Sequence, residues 1–181
     1  MRNNPLAAWL RALAPAFCLL ALRRAGRGLP GWGRLWLEAA VLAAAVWLFC
    51  RESGKEGFRL SGKGCFLWIG LGALCGGALR LLFGKPAGPE EALGFLTVCV
   101  LGPACEETVY RGLVEDRLKP LLPGALSAAV SALLFAAAHE GPARMACALG
   151  AGLLFSLARR RTGSLTAPIL MHMTVNLLSF V

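Results

Sequence analysis

Charge is scarce in this sequence. Of its 181 residues only 16% are Asp, Glu, Lys or Arg, whereas 57% are hydrophobic and the mean hydropathy is +0.63. A domain of this length surrounded by water needs a polar exterior, and apolar runs separated by short charged breaks cannot supply one; a bilayer can. Acidic residues are scarcer than basic ones, 10 against 19, which leaves a formal charge of +9. That excess does not describe a nucleic-acid-binding face, because the basic residues lack clustering on one amphipathic face with aromatic interleaving. They fall in the breaks: Arg23, Arg24, Arg27 and Arg34, then Arg51, Lys55, Arg59 and Lys63, then Arg159, Arg160 and Arg161. In those places they flank membrane spans and meet headgroups. Metal-ligand spacing is missing as well. The seven cysteines form no C-x-x-C pair and lie mostly inside apolar runs, where cysteine behaves as a small hydrophobe. Period-two alternation, internal repeats and low-complexity stretches are all absent, and an open sheet edge cannot face lipid. The fold class is therefore all-α, a polytopic bundle of about seven transmembrane helices, with six to eight compatible.

The helices are expected over residues 6–22, 35–50, 65–83, 90–118, 126–138, 143–158 and 165–180. The first run resembles a signal peptide, but Arg23, Arg24 and Arg27 follow it at once and disfavour cleavage, so it is read as a membrane helix. The third carries Gly72-x-x-x-Gly76, a pattern that suits close helix packing. A Gly/Pro break over residues 84–89 divides the chain into N-terminal transmembrane helices without an assigned role, 1–88, and a second unit, 89–181. Pro103 interrupts the fourth helix, where it should free a carbonyl and kink the chain. Loop charges place the N-terminus on the cytoplasmic side.

Polar residues accumulate within the spans of the second unit. An ionised side chain at mid-membrane costs about 2.5–3.5 kcal/mol even on a lenient scale, which makes each one a functional candidate. Glu106, Glu107 and Arg111 share one helix; His139 ends the next; His172 and Asn176 lie in the last, and the chain has no other histidine. Glu107 and Arg111 are four residues apart, so a salt bridge can close on one face. Glu106 is turned about 100° from that pair and is left free for chemistry. Phe135 with His139, and His172 with Asn176, are likewise four apart, so an imidazole and a carboxamide project together from the last helix. Glu38 and Arg11 stand alone in their spans and are assigned to snorkelling or interfacial positions.

In that order, Glu106-Glu107-Thr108-Val109-Tyr110-Arg111 resembles the EExxxR motif of the CPBP (CAAX protease and bacteriocin-processing) family. Phe135-Ala136-Ala137-Ala138-His139 resembles its FxxxH motif, and His172-Met173-Thr174-Val175-Asn176 its HxxxN motif. The approach to the third motif, Arg161-Thr162-Gly163-Ser164-Leu165-Thr166-Ala167-Pro168-Ile169, is similar as well. The resemblance covers roughly residues 90–181, and the first half carries no motif of this kind. It implies a glutamic-type intramembrane endopeptidase, similar to the type II CAAX prenyl endopeptidases, acting on a membrane-anchored protein or peptide within the lipid bilayer. In it Glu106 and His139 activate a water, His172 and Asn176 stabilise the oxyanion, and Glu107, Arg111 and Phe135 support the site. Composition and size look like those of a bacterial member in the inner (plasma) membrane.

Two alternatives stand beside that reading. Glu106, His139 and His172 are also a possible zinc ligand set with an open fourth position, although no cofactor is expected, because the only other carboxylate fit to serve as base, Glu107, is committed to Arg111. The other alternative keeps the family fold without turnover, as a bacteriocin immunity factor or scaffold. A proton carrier using Glu106 lacks the paired inverted repeats that such a machine needs.

Overall fold

The computed structural model describes residues 4–53, 55–59, 62–84 and 92–180. Among them are seven helical rods and no strand: α1 Pro5–Ala25, α2 Gly31–Ser53, α3 Gly62–Phe83, α4 Ala92–Leu118, α5 Gly124–Ala137, α6 Pro142–Thr162 and α7 Thr166–Phe180. The all-α bundle expected from composition is the fold observed. Past Gly84, the Gly/Pro break, the boundary placed within it and the start of the fourth helix at Glu90 fall in residues 85–91, outside the described residues.

Helix ends follow their local chemistry. Asn4 caps α1 by accepting the Leu6 N–H at 3.0 Å, and Pro5 occupies the first turn, where a missing N–H costs nothing. Gly163 closes α6 with φ +68°, a left-handed geometry that glycine adopts without strain, and its N–H bonds back to the Arg159 carbonyl at 2.8 Å. Among the described residues four helices are long and apolar enough to cross a membrane: Pro5–Gly28, Gly31–Ser53, Gly64–Leu82 and Ala92–Leu118. The chain is an integral membrane protein. Helix α5, with 14 residues, extends only about 21 Å at 1.5 Å per residue, short of a hydrocarbon core of about 30 Å. Helices α6 and α7 carry the arginines, histidine and asparagine that lower their hydropathy.

Helix α4 is not uniformly α-helical. Two π-helical stretches, Thr97–Leu101 and Thr108–Val114, bracket the segment Gly102–Glu107. Pro103 supplies the cause of the first: it has no N–H, and the Gly102 N–H bonds to Thr97 O one residue beyond the α register. The second stretch is buried throughout, and its wider turn leaves carbonyls that other helices satisfy. Ser131 on α5 donates to Tyr110 O at 2.8 Å, and Arg159 Nε on α6 donates to Arg111 O at 3.4 Å. In a bilayer such partners are required, because no water replaces them.

The first three helices are built into the same bundle. The largest helix contact joins α3 to α7. It depends on the small-residue pattern: a Cβ on Gly72 would lie 2.6 Å from Met171 O, and one on Gly76 would lie 2.7 Å from Val175 O. Those two carbonyls belong to the residues just before His172 and Asn176. Close backbone approach across the two glycines thus sets the height and rotation of the face that carries both polar side chains. Gly72→Ala and Gly76→Ala should each lower stability by about 1–3 kcal/mol, the usual cost of forcing extra methyl groups into a packed interface. The thermal midpoint in detergent measures this, and an unchanged midpoint for both would mean that the contact tolerates separation.

Candidate active site

Consecutive carboxylates straddle one imidazole. His172 Nδ1 lies 2.8 Å from Glu107 Oε1, while its Nε2 lies 3.7 Å from Glu106 Oε2. The roughly 100° between neighbouring residues of a helix lets two short acidic side chains reach opposite edges of a single ring. The ring is fixed from its faces too. Phe155 stacks on it with centroids 4.6 Å apart at 21°, and Phe135 meets it edge-on at 5.6 Å.

Glu107 and Arg111 close the bridge that their spacing predicted, with Nη1 to Oε1 at 3.2 Å and both side chains fully buried. Arg111 goes further than that pair. Its Nη2 donates to Gly152 O at 3.0 Å, and its guanidinium lies 4.6 Å from the Phe135 ring centre, 5.3 Å from that of Phe155 and 5.9 Å from that of Tyr110. Gly152 is what admits it: a Cβ there would stand 2.9 Å from Nη2. Sequence spacing does not point to Gly152, since a glycine within an apolar helix has no mark of its partner.

His139, just past the end of α5, directs Nδ1 to the Phe135 carbonyl at 2.9 Å and packs on the Phe135 ring at 4.8 Å. A carbonyl oxygen only accepts, so that nitrogen carries the hydrogen, and in the neutral ring Nε2 keeps a lone pair. The same reasoning gives His172 a hydrogen on Nδ1, facing a carboxylate. Asn176 donates from Nδ2 to Val98 O at 2.9 Å. This is a carbonyl in the π-helical stretch before Pro103, so the residue that answers the backbone disruption expected at Pro103 is one of the polar side chains of α7. An amide nitrogen has two hydrogens, and the second remains available.

His139, His172 and Asn176 all line one cavity of about 490 Å³, together with Phe135, Phe155, Leu79 and Arg144. Its wall is mostly apolar, with a few convergent polar groups, as in ordinary small-molecule and peptide sites. Glu106 does not line it but reaches one of its lining residues, with Oε2 3.7 Å from His172 Nε2 and 14% of its side chain exposed.

Three expectations from the sequence need correction. Glu106 is not free, because Arg23 of α1 forms an ion pair with its Oε1. Glu38 is neither isolated nor snorkelling: it is 8% exposed and accepts from the same guanidinium at 2.7 Å and 3.0 Å. Arg23, read as a headgroup anchor, is turned inward by two carboxylates. Arg159 and Arg160 also bond within the protein, to Asp116 at 2.6 Å and Glu115 at 3.1 Å, rather than serving only as flanking charges. In each case an acidic partner distant in sequence offers more than the interface does, since an unpaired buried carboxylate is costly.

Among the described residues, no three His, Cys, Asp or Glu side chains are placed to hold a metal ion together. Of the three residues read as alternative zinc ligands, Glu106, His139 and His172, Glu106 has one oxygen engaged by the Arg23 guanidinium.

Residues 88–178 match the model of the family described as type II CAAX prenyl endopeptidase Rce1-like. Over 105 residues the chain is 34% identical to an uncharacterized 24.3 kDa protein of Escherichia coli, covering 55% of this chain and 48% of that protein. Over 85 residues it is 34% identical to the membrane-embedded CAAX protease MroQ of Staphylococcus aureus strain USA300, covering 44% and 34% respectively. The chain thus spans about half or less of the length of these relatives. No solved structure matches it.

Proposed function

The chain belongs to the Rce1-like type II CAAX prenyl endopeptidase family, and from that premise we propose that it is an intramembrane endopeptidase that hydrolyses a peptide bond near the C-terminal or membrane-proximal segment of a membrane-tethered substrate. The observation that carries this reading is the placement of Glu106, Glu107 and His172 in one buried cluster behind a cavity that His139 and Asn176 also line. In this mechanism Glu106 Oε2 removes a proton from a water that His139 Nε2 orients. The water oxygen bonds to the peptide carbon, and the charge that develops on the carbonyl oxygen meets the second Asn176 N–H. His172 Nε2 faces Glu106, receives the proton and, as a donor, serves first the oxyanion and then the leaving nitrogen as the C–N bond breaks. Glu107 and Arg111 hold that ring in register. The protein resides in a bacterial inner membrane with its N-terminus in the cytoplasm, and no step requires a metal or organic cofactor.

The Arg23–Glu106 pair is the one observation that favours a second reading, a non-catalytic scaffold or immunity protein in which the carboxylate is structural. Reconstituted protein with a tethered peptide in ¹⁸O-labelled water separates the two. Cleavage should place one ¹⁸O in the new carboxyl terminus, at a rate unchanged by exhaustive chelation. Absence of cleavage across a set of tethered tails supports the scaffold, and loss on chelation restored by stoichiometric zinc would transfer the chemistry to a metal.

A further inference from the structure

We propose that Arg23, held in place by Glu38, is a positioning residue for Glu106, so that the N-terminal helices complete the reaction centre. The proposal rests on the reading of Glu106 as the base and adds two residues outside the matched region 88–178.

The geometry divides the guanidinium between two tasks. Nε and Nη2 face the two oxygens of Glu38 at 2.7 Å and 3.0 Å, a fork that fixes the plane of the group. Nη1, on the other side of the group, donates to Glu106 Oε1. The second oxygen, Oε2, is the one that faces His172 Nε2 at 3.7 Å. One carboxylate oxygen is thus anchored and the other presented. Arg23 has 27% of its side chain exposed and Glu38 10%, so the anchor lies at the inner edge of the bundle and not in open solvent.

Charge counting gives the same division. Glu38, Glu106 and Glu107 with Arg23 and Arg111 carry one net negative charge when His172 is neutral. Glu38 and Arg111 are each matched by a fork or a buried bridge, so the excess resides on Glu106, where a base is wanted. Without Glu38, Arg23 would be free to turn its fork onto both oxygens of Glu106 and mask it. Without Arg23, two carboxylates on α2 and α4 would face each other uncompensated.

The test uses the full-length protein in detergent or proteoliposomes. Arg23→Lys keeps a charge but cannot fork, and Arg23→Gln/Glu38→Gln removes the fork while keeping the net charge. Both should lower kcat about 10- to 100-fold with KM within about 2-fold, the scale of loss when a reacting group is displaced by a fraction of an ångström to an ångström. Arg23→Lys should retain more activity than Arg23→Gln, and Arg24→Gln, an exposed neighbour, should be unaffected. A second readout needs no turnover: a hydrophobic carbodiimide should label Glu106 several-fold faster in the double variant than in the wild type. Equal labelling, or a wild-type kcat in both Arg23 variants, overturns the proposal. If Glu106→Gln is inactive while the Arg23 variants keep full rate, only the positioning role falls. If the wild type cleaves nothing, the proteolytic reading falls, and labelling still decides whether Arg23 holds Glu106.

Discussion

Glu106→Gln should lower kcat for a tethered peptide by about 10³-fold or more while leaving KM and the thermal midpoint near their wild-type values. Glutamine has almost the same shape, and its carbonyl oxygen can still accept from Arg23, so the contact to α1 survives. What disappears is the anionic oxygen facing His172 at 3.7 Å. General-base catalysis is worth about 10²–10⁴ in rate, and the neighbouring carboxylate does not replace it, since Glu107 is shared between Arg111 and His172. Single-turnover measurement of cleavage at saturating substrate checks the kcat effect. A variant with more than about a tenth of the wild-type rate would remove Glu106 from the water-activating role.

Arg111→Ala should act on folding before it acts on chemistry. The side chain is fully buried, and its loss strips the bridge to Glu107 at 3.2 Å and the bond to Gly152 O at 3.0 Å. It also opens a void among Tyr110, Phe135 and Phe155, the rings against which the guanidinium rests. Glu107 Oε2 already has no hydrogen-bond partner, so the remaining carboxylate would depend on His172 alone. Removing one partner of a buried pair typically costs about 3–5 kcal/mol. Folded yield and thermal midpoint in detergent should both fall, and Arg111→Lys should fall less. Normal stability with activity alone abolished would move Arg111 into the chemical step.

Some of this site was legible in the chain because helical geometry is local. Glu107 with Arg111, Phe135 with His139, and His172 with Asn176 are pairs four residues apart. A helix puts such pairs on one face whatever surrounds it. The structure accordingly shows a bridge in the first pair, a ring contact at 4.8 Å in the second and a shared cavity wall in the third. Pro103 was equally readable, since a residue without an N–H frees a carbonyl in any helix. Neither the π register nor the donor that answers it was readable. A π-helix has no hydrophobic period distinct enough to mark it, and Asn176 lies 78 residues from Val98.

The sequence by itself determined the solvent and the material: scarce charge and long apolar runs require a bilayer and helices, and polar residues kept inside those runs at a cost mark where chemistry gathers. It did not determine which charges meet. Arg23 and Glu38 look like flanking and snorkelling residues because their surroundings in the chain are apolar or basic. Their true partners are 15 and 83 positions apart, joined only when α1, α2 and α4 pack. Pairing of buried charges depends on distance and desolvation, which only the assembled bundle fixes, whereas the face a residue occupies on its own helix depends on the backbone alone.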